Sequence, residues 1–371
     1  MSQLFSQFKL RGLTLRNRII VSPMCQYSAV QGEASDWHRV HVGSLALSGA
    51  GLFCFEATAV EPEGRITPGC LGLWNERTEA ALQAVIATVR KYSRIALGVQ
   101  LAHAGRKGSS RLPWEGGQLL PVSEGGWVPY APSAIAHKEG EALPQALDDA
   151  GLARVRVAFV AAAKRAMRLG LDAIELHSAH GYLLHEFLSP IANRRQDRYG
   201  GSLHNRMRFP LEVFEAVRAA VPADKPVGVR VSATDWVEGG WDLDQTVAYA
   251  RELHRRGVDW IDASSGGISP AQTIPLKPSY QVPFARAIKQ ATGVNTIAVG
   301  LISEAQQAEE IIARGEADLV AIARGMLYDP RWPWHAAAQL GASVEAPPQY
   351  WRSQPGDQKL LFGEAARSGG R

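Results

Sequence analysis

The chain has 371 residues, 46% of them hydrophobic, with 40 Lys and Arg against 36 Asp and Glu, for a net charge of +4. That length suits two ordinary domains or one α/β barrel, and the apolar share is enough for a large core. Charges of both signs are interspersed with no polybasic run, so neither nucleic acid nor a membrane surface is indicated as a partner. No apolar run approaches the roughly 18 residues of a membrane span, and the opening MSQLFSQFKLRGLTLRNR lacks the plan of a signal peptide, so a cytoplasmic protein is expected. Three cysteines, Cys25, Cys54 and Cys70, are an odd number without C-x-x-C spacing, which argues against a disulfide framework and a zinc cluster.

In chain order, residues 4 to 16 read as a hairpin, and eight β-branched apolar runs follow. They are RIIVSPM, GLFCFEATAV, RIALGVQLAH, DAIELH, PVGVRVS, DWIDASS, NTIAVG and DLVAIARG. Amphipathic stretches such as TEAALQAVIATVRKY, LARVRVAFVAAAKRAMRLG, RFPLEVFEAVRAAV, TVAYARELHRRG and EAQQAEEIIARG lie between them, several closing on a glycine. Repeated strand–helix units predict a parallel sheet covered by helices, and eight of them predict a (β/α)8 TIM barrel of class α/β. An open doubly wound sheet is the runner-up, weakened because no G-x-G-x-x-G follows the first strand. The Gly-, Pro- and Trp-rich stretch 105–144 fits neither period and reads as an excursion after strand three that caps the catalytic face. One domain is expected over 1–345, with 346–371 as a subunit-contacting segment that becomes mobile after Pro355.

Barrel enzymes carry their sites at the carboxyl ends of the strands. Strand one ends in Pro23, Met24, Cys25, Gln26 and Tyr27. Strand three carries Gln100 and ends at His103, with Arg106 and Lys107 beyond. On strand four, period-two alternation puts Glu175 and His177 on one face. Strand five aims Arg230 to the side of Gly228 and Ser232. Strands seven and eight end at Gly300 and at Arg324 and Gly325, where barrels often hold a phosphate; the alternative is two tight turns and a solvated arginine.

His177 and His180, followed by Tyr182, admit three readings: satisfied core histidines, metal ligands joined by His185 and Glu186, or a clamp for one oxygen with the phenol as proton donor. The spacing matches neither H-E-x-x-H nor a finger, so no metal is expected. A buried Arg230 needs an anion, either a reduced flavin or an internal carboxylate such as Glu175 or Asp262.

The segments PMCQY, EATAV, QLAHAGRK, ELHSAHGYLLHEFLSPIANRRQDRYGGSLHNRMRF and ARGMLYDPRWP, in this order, resemble the Old Yellow Enzyme family of flavin-dependent ene-reductases. The likeness is closest to its bacterial, cysteine-containing branch, which includes the xenobiotic reductases. It implies non-covalent FMN, NADPH or NADH as hydride donor, and reduction of an electron-poor C=C bond in a small molecule. It further implies His177 and His180 on the substrate oxygen, Tyr182 as proton donor, and Cys25 beside the flavin. Tyr27 and Lys107 would line the substrate pocket. Pro23, Met24, Ala57, Gln100 and Arg230 would contact the isoalloxazine, and Gly300, Leu301, Arg324 and Gly325 the ribityl phosphate. In this branch a C-terminal residue enters the neighbouring subunit's site; Arg352, or alternatively Trp351, would do so here in a homodimer or dimer of dimers.

Overall fold

The computed structural model describes residues 1–364 and 366. Eight parallel strands close a barrel: β1 (Ile19–Val21), β2 (Leu52–Ala59), β3 (Ala96–Ala102), β4 (Ala173–Ser178), β5 (Val227–Ser232), β6 (Ile261–Ser264), β7 (Thr296–Ala298) and β8 (Leu319–Ile322). Each pairs with its neighbours in sequence, and β8 returns to β1. All eight expected runs are barrel strands, so the closed barrel replaces the open-sheet alternative. Their side chains are buried on both faces, as a sheet wrapped by helices requires.

The helices follow from local chemistry. In Glu76–Tyr92, Leu82, Val85, Ile86 and Val89 make one buried stripe, and the Asn75 side chain accepts from the Thr78 N–H at 2.9 Å. Asp148 and Asp242 cap Asp149–Arg168 and Leu243–Arg255 in the same way. One boundary differs from expectation: the helix expected from Arg208 begins at Leu203 behind the Ser202 cap and runs through Pro210. Burial of Phe209, Leu211, Val213 and Phe214 holds it together despite the missing N–H.

The opening hairpin, Phe8–Leu10 against Leu13–Leu15, plugs the amino-terminal end of the barrel. Leu10 and Leu15 pack with Ile20, Leu52, Ala173 and Trp260, while Arg11 pairs with Asp259 just before β6. The excursion leaves the opposite end of β3. It is built from single turns at Gly105–Lys107, Pro113–Glu115 and Val122–Glu124, pinned where Ser109 Oγ donates to the Leu120 carbonyl and accepts from the Trp127 N–H, both at 2.8 Å. Within the segment expected to be mobile, Leu361 and Phe362 are buried, with Phe362 4.8 Å from the Trp334 ring, so that stretch is docked on the barrel. Residues 365 and 367–371 lie outside the described residues.

Candidate active site

The carboxyl end of β4 organises the site. His177 is the last inward side chain of the strand, and the chain then turns through His180 and Gly181 with φ of 60° and 72°. The turn is locked by a second left-handed segment beyond β6. A Cβ on Gly181 would lie 2.1 Å from the Gly267 carbonyl oxygen, and one on Gly267 would lie 2.5 Å from His180 C. The His177 ring centroid stands 5.0 Å from that of His180 and 4.9 Å from that of Tyr182, so the three rings form one cluster.

A polar scaffold aims these rings. The His180 N–H donates to Ser232 Oγ at 2.9 Å, and its Nε2 lies 2.7 Å from Ser264 Oγ. Lys107 Nζ donates to the His180 carbonyl at 2.8 Å. Beneath them, buried His185 accepts the Gly181 N–H on Nδ1 at 2.9 Å and faces Asp235 with Nε2 at 3.0 Å. Asp235 also accepts from Ser189 Oγ at 2.6 Å and the Trp241 N–H at 2.7 Å. His185 and Glu186 thus turn into the scaffold, away from a shared metal position with His177 and His180. Among the described residues no group of three or more His, Cys, Asp or Glu is placed to hold a metal.

Burial, reinforced by the Arg230 charge, pushes His177 and His180 well below the ordinary imidazole pKa. Both rings are therefore neutral at pH 7, and His177 Nδ1 is buried with no partner. Burial pushes the Tyr182 phenol well up, with the Cys25 and Tyr27 side chains adding to it, so it keeps its proton. A neutral donor pair beside a protonated phenol suits stabilising negative charge on an oxygen and delivering a proton nearby.

Below the rings, Arg230 reaches the barrel interior. Its Nε is 3.2 Å from Asp262 Oδ2 but is not aligned for a hydrogen bond. The internal-carboxylate reading is therefore present, through Asp262. Glu175 is occupied instead by Gln100 Nε2 at 2.8 Å and Trp260 Nε1 at 3.0 Å. Burial raises both carboxyls, against the pull of Arg230. With its carboxylate partner held toward neutrality and Nε without a hydrogen bond, Arg230 retains capacity for an anion above it.

The end of β1 forms one wall. Tyr27 takes φ of 52°, and its ring lies 5.9 Å from Trp114 of the excursion. Burial, then the nearby Cys70 and Glu56, raises the Cys25 thiol, so it stands there uncharged. The segment is held by Glu56, which accepts the Gln26 N–H at 3.1 Å and faces His38 at 3.3 Å. Glu56 occupies a register shift between Phe55 and Ala57, where the bulge turns its side chain off the ladder. At the far wall, Gly300 and Leu301 are both left-handed, with φ of 114° and 51°. A Cβ on Gly300 would lie 2.7 Å from Gln281 Nε2 and 3.1 Å from the Tyr280 ring, which also feels the exposed Arg324.

The structure thus gathers His177, His180, Tyr182, Lys107, Gln100 and Arg230 about one end of the barrel. Arg352 is exposed, whereas the Trp351 indole N–H is spent on the Ala346 carbonyl at 2.9 Å. Sequence reading gave no role to Glu56, His38, Ser264 or Asp235, and placed Ser232 on the inward face without assigning it one. Each acts through a partner at least 18 residues away in the chain, and only for Ser232, one alternation past Arg230, did the local pattern hold a signal.

A closed β/α barrel with an anion-ready arginine beneath a neutral His–His–Tyr cluster, and a left-handed glycine turn after β7, has the donor set of a flavin enzyme. The orphan His177 Nδ1, the half-paired Arg230 and the crowded Gly300 turn all fit FMN. The profile of the NADH:flavin oxidoreductase / NADH oxidase family matches residues 3–342, and the chain belongs to that family. It is similar to an NADPH dehydrogenase of Geobacillus thermodenitrificans, 44% identical over 351 residues that cover 94% of this chain and 98% of the relative. An NADPH dehydrogenase of Listeria monocytogenes is 44% identical over 355 residues, with 95% and 99% covered. Among solved structures, morphinone reductase superposes with a TM-score of 0.76 at 29% identity, covering 94% of this chain and 91% of its own. The chain is an FMN-dependent NAD(P)H oxidoreductase of the ene-reductase type.

Proposed function

We infer that the protein reduces the C=C bond of α,β-unsaturated carbonyl or nitro compounds. The observation that carries this is the convergence of His177, His180 and Tyr182, two neutral imidazoles and a protonated phenol, beside Arg230. FMN, when bound, would supply the hydride chemistry that links the nicotinamide to the β-carbon. His177 and His180 hold the carbonyl or nitro oxygen through ring N–H groups and stabilise the charge that builds there. Tyr182 gives its phenolic proton to the α-carbon. Gln100 and Arg230 would hold the flavin, with Arg230 balancing the negative charge it carries when reduced. Pro23, Met24, Cys25 and Ala57 would pack against the ring, and Gly300, Leu301, Gly325 and Arg324 would hold the phosphate. Tyr27 and Lys107 shape the substrate pocket.

The same reading makes the enzyme a homo-oligomer in which Arg352 reaches a neighbouring site, because Trp351 is already engaged within its own chain. Product analysis tests the substrate class. With 2-cyclohexenone and NADPH, cyclohexanone is the expected product; 2-cyclohexenol, or no turnover of any enone or nitroalkene, would contradict the assignment.

A further inference from the structure

Beneath the ring cluster the barrel holds a sealed layer of ionisable groups that the reaction above uses only in part. Strand register sets it: Asp262 on β6 pairs with Arg230 on β5, Arg230 pairs with His177 on β4, and Glu175 on β4 pairs with Gln100 on β3. Glu175, Arg230 and Asp262 are all buried. The Trp260 ring closes the layer, packed so tightly on Gly228 that a Cβ there would lie 1.9 Å from it. A cavity of about 10 Å³, room for about one water, touches Glu175, Asp262 and Cys54, and the rest of its lining is mainly apolar. Charges in this layer therefore act on one another with little screening.

The two carboxyls differ in their partners. Glu175 is tied through both oxygens, Gln100 Nε2 donating to Oε1 at 2.8 Å and Trp260 Nε1 to Oε2 at 3.0 Å. Asp262 is not: its Oδ1 is buried without a hydrogen bond, and its Oδ2 faces Arg230 Nε at 3.2 Å out of line. The charges that face Asp262 are Arg230 from β5 and Glu175 from β4. The other strands bring the Cys54 thiol of β2, which burial keeps uncharged, the Gln100 amide of β3, and the apolar Ile20 and Ile297 of β1 and β7. One arginine thus serves two carboxyls. Burial raises Asp262 to about 7, against the pull of Arg230 and with the push of Glu175, and a new negative charge above Arg230 raises it further.

We propose that Asp262 is the proton acceptor coupled to flavin reduction: ionised while the ring is oxidised, it takes one proton from solvent when the ring gains negative charge and releases it on reoxidation. The proposal rests on the flavin reading above. Hydride brings two electrons and a proton to the ring, adding one negative charge, and the solvent proton on Asp262 restores the total charge of the buried layer. Arg230, no longer shared with Asp262, is left to balance the ring. Asp262 touches neither substrate nor ring and acts through Arg230, as a positioning residue.

The test is reduced-minus-oxidised infrared difference spectroscopy of FMN-loaded enzyme at pH 8, in H2O and D2O, beside Asp262→Asn. On reduction the parent should gain the C=O stretch of a protonated carboxylic acid, shifted in D2O, and Asp262→Asn should lack it. In the parent the gain should fade by about pH 6, where Asp262 is already protonated before reduction. Potentiometry gives a second reading, since one proton taken up with two electrons lowers the midpoint potential by about 30 mV per pH unit. Near pH 8 the parent's slope should exceed that of Asp262→Asn by about this amount. No carboxylic band in the parent, a band whose gain is independent of pH, the same band in Asp262→Asn, or equal slopes would overturn the proposal. The parent's band and its pH dependence decide the matter even where the variant does not load FMN. Bleaching of the yellow parent keeps the flavin reading standing in every one of those cases.

Discussion

At the scale of single residues, the site depends on groups kept in their uncharged forms. Tyr182 sits where burial raises the phenol, so it holds a transferable proton throughout the neutral range. Tyr182→Phe should slow reoxidation of the reduced enzyme by an enone by about 10²–10⁴-fold, with reduction by NADPH little changed, as stopped-flow absorbance would show. An equal loss in both directions would mean that the phenol serves binding. The two histidines make a separate prediction through linkage. Their folded pKa values lie below the unfolded value, so below pH about 6.5 the unfolded chain takes up protons that the folded chain refuses. Stability falls as pH drops from about 6.5 to 5, and His177→Asn with His180→Asn should flatten that part of a Tm-against-pH curve relative to the parent. The histidines and Tyr182 were legible in the sequence because they crowd one strand end. Their neutrality was not, since it comes from burial and from Arg230 some 50 positions along the chain.

At the scale of elements, the turn after β4 is held by two buried contacts from outside it. The Gly181–Gly267 approach leaves no room for a methyl group, and the His185–Asp235 pair grips the Gly181 N–H from below. Gly181→Ala should displace His180 and Tyr182 and abolish alkene reduction while the protein still binds FMN, measured by flavin retention beside turnover. Asp235→Asn replaces a carboxylate that faces His185 and accepts from Ser189 and the Trp241 N–H by an amide with one oxygen, leaving a buried donor unpaired at a cost of about 1–3 kcal/mol, readable as a lower denaturation midpoint. The charged form of Asp235 is favoured because His185, Ser189 and the Trp241 N–H outweigh the opposing burial. The barrel strands and most helices could be read from period and caps, since those signals are local. The helix over Leu203–Ala220 was misjudged at its start because Pro210 looks like a boundary and only tertiary packing overrides it. The Glu56 bulge was invisible for a related reason: a register shift is a property of two strands.

At the scale of the whole molecule, the barrel separates stability from chemistry. The hairpin closes one end, the excursion covers the other, and the active groups stand on strand ends between them. The central claim is that His177 and His180 serve the alkene half-reaction specifically. The measurement that tests it most directly is anaerobic visible spectroscopy of the His177→Ala, His180→Ala double variant beside the parent, with NADPH added first and 2-cyclohexenone second. Both proteins should be yellow and bleach, but the parent should regain its colour at least about 100-fold faster than the variant. Equal recovery in the two, or a parent that never bleaches, would contradict the account.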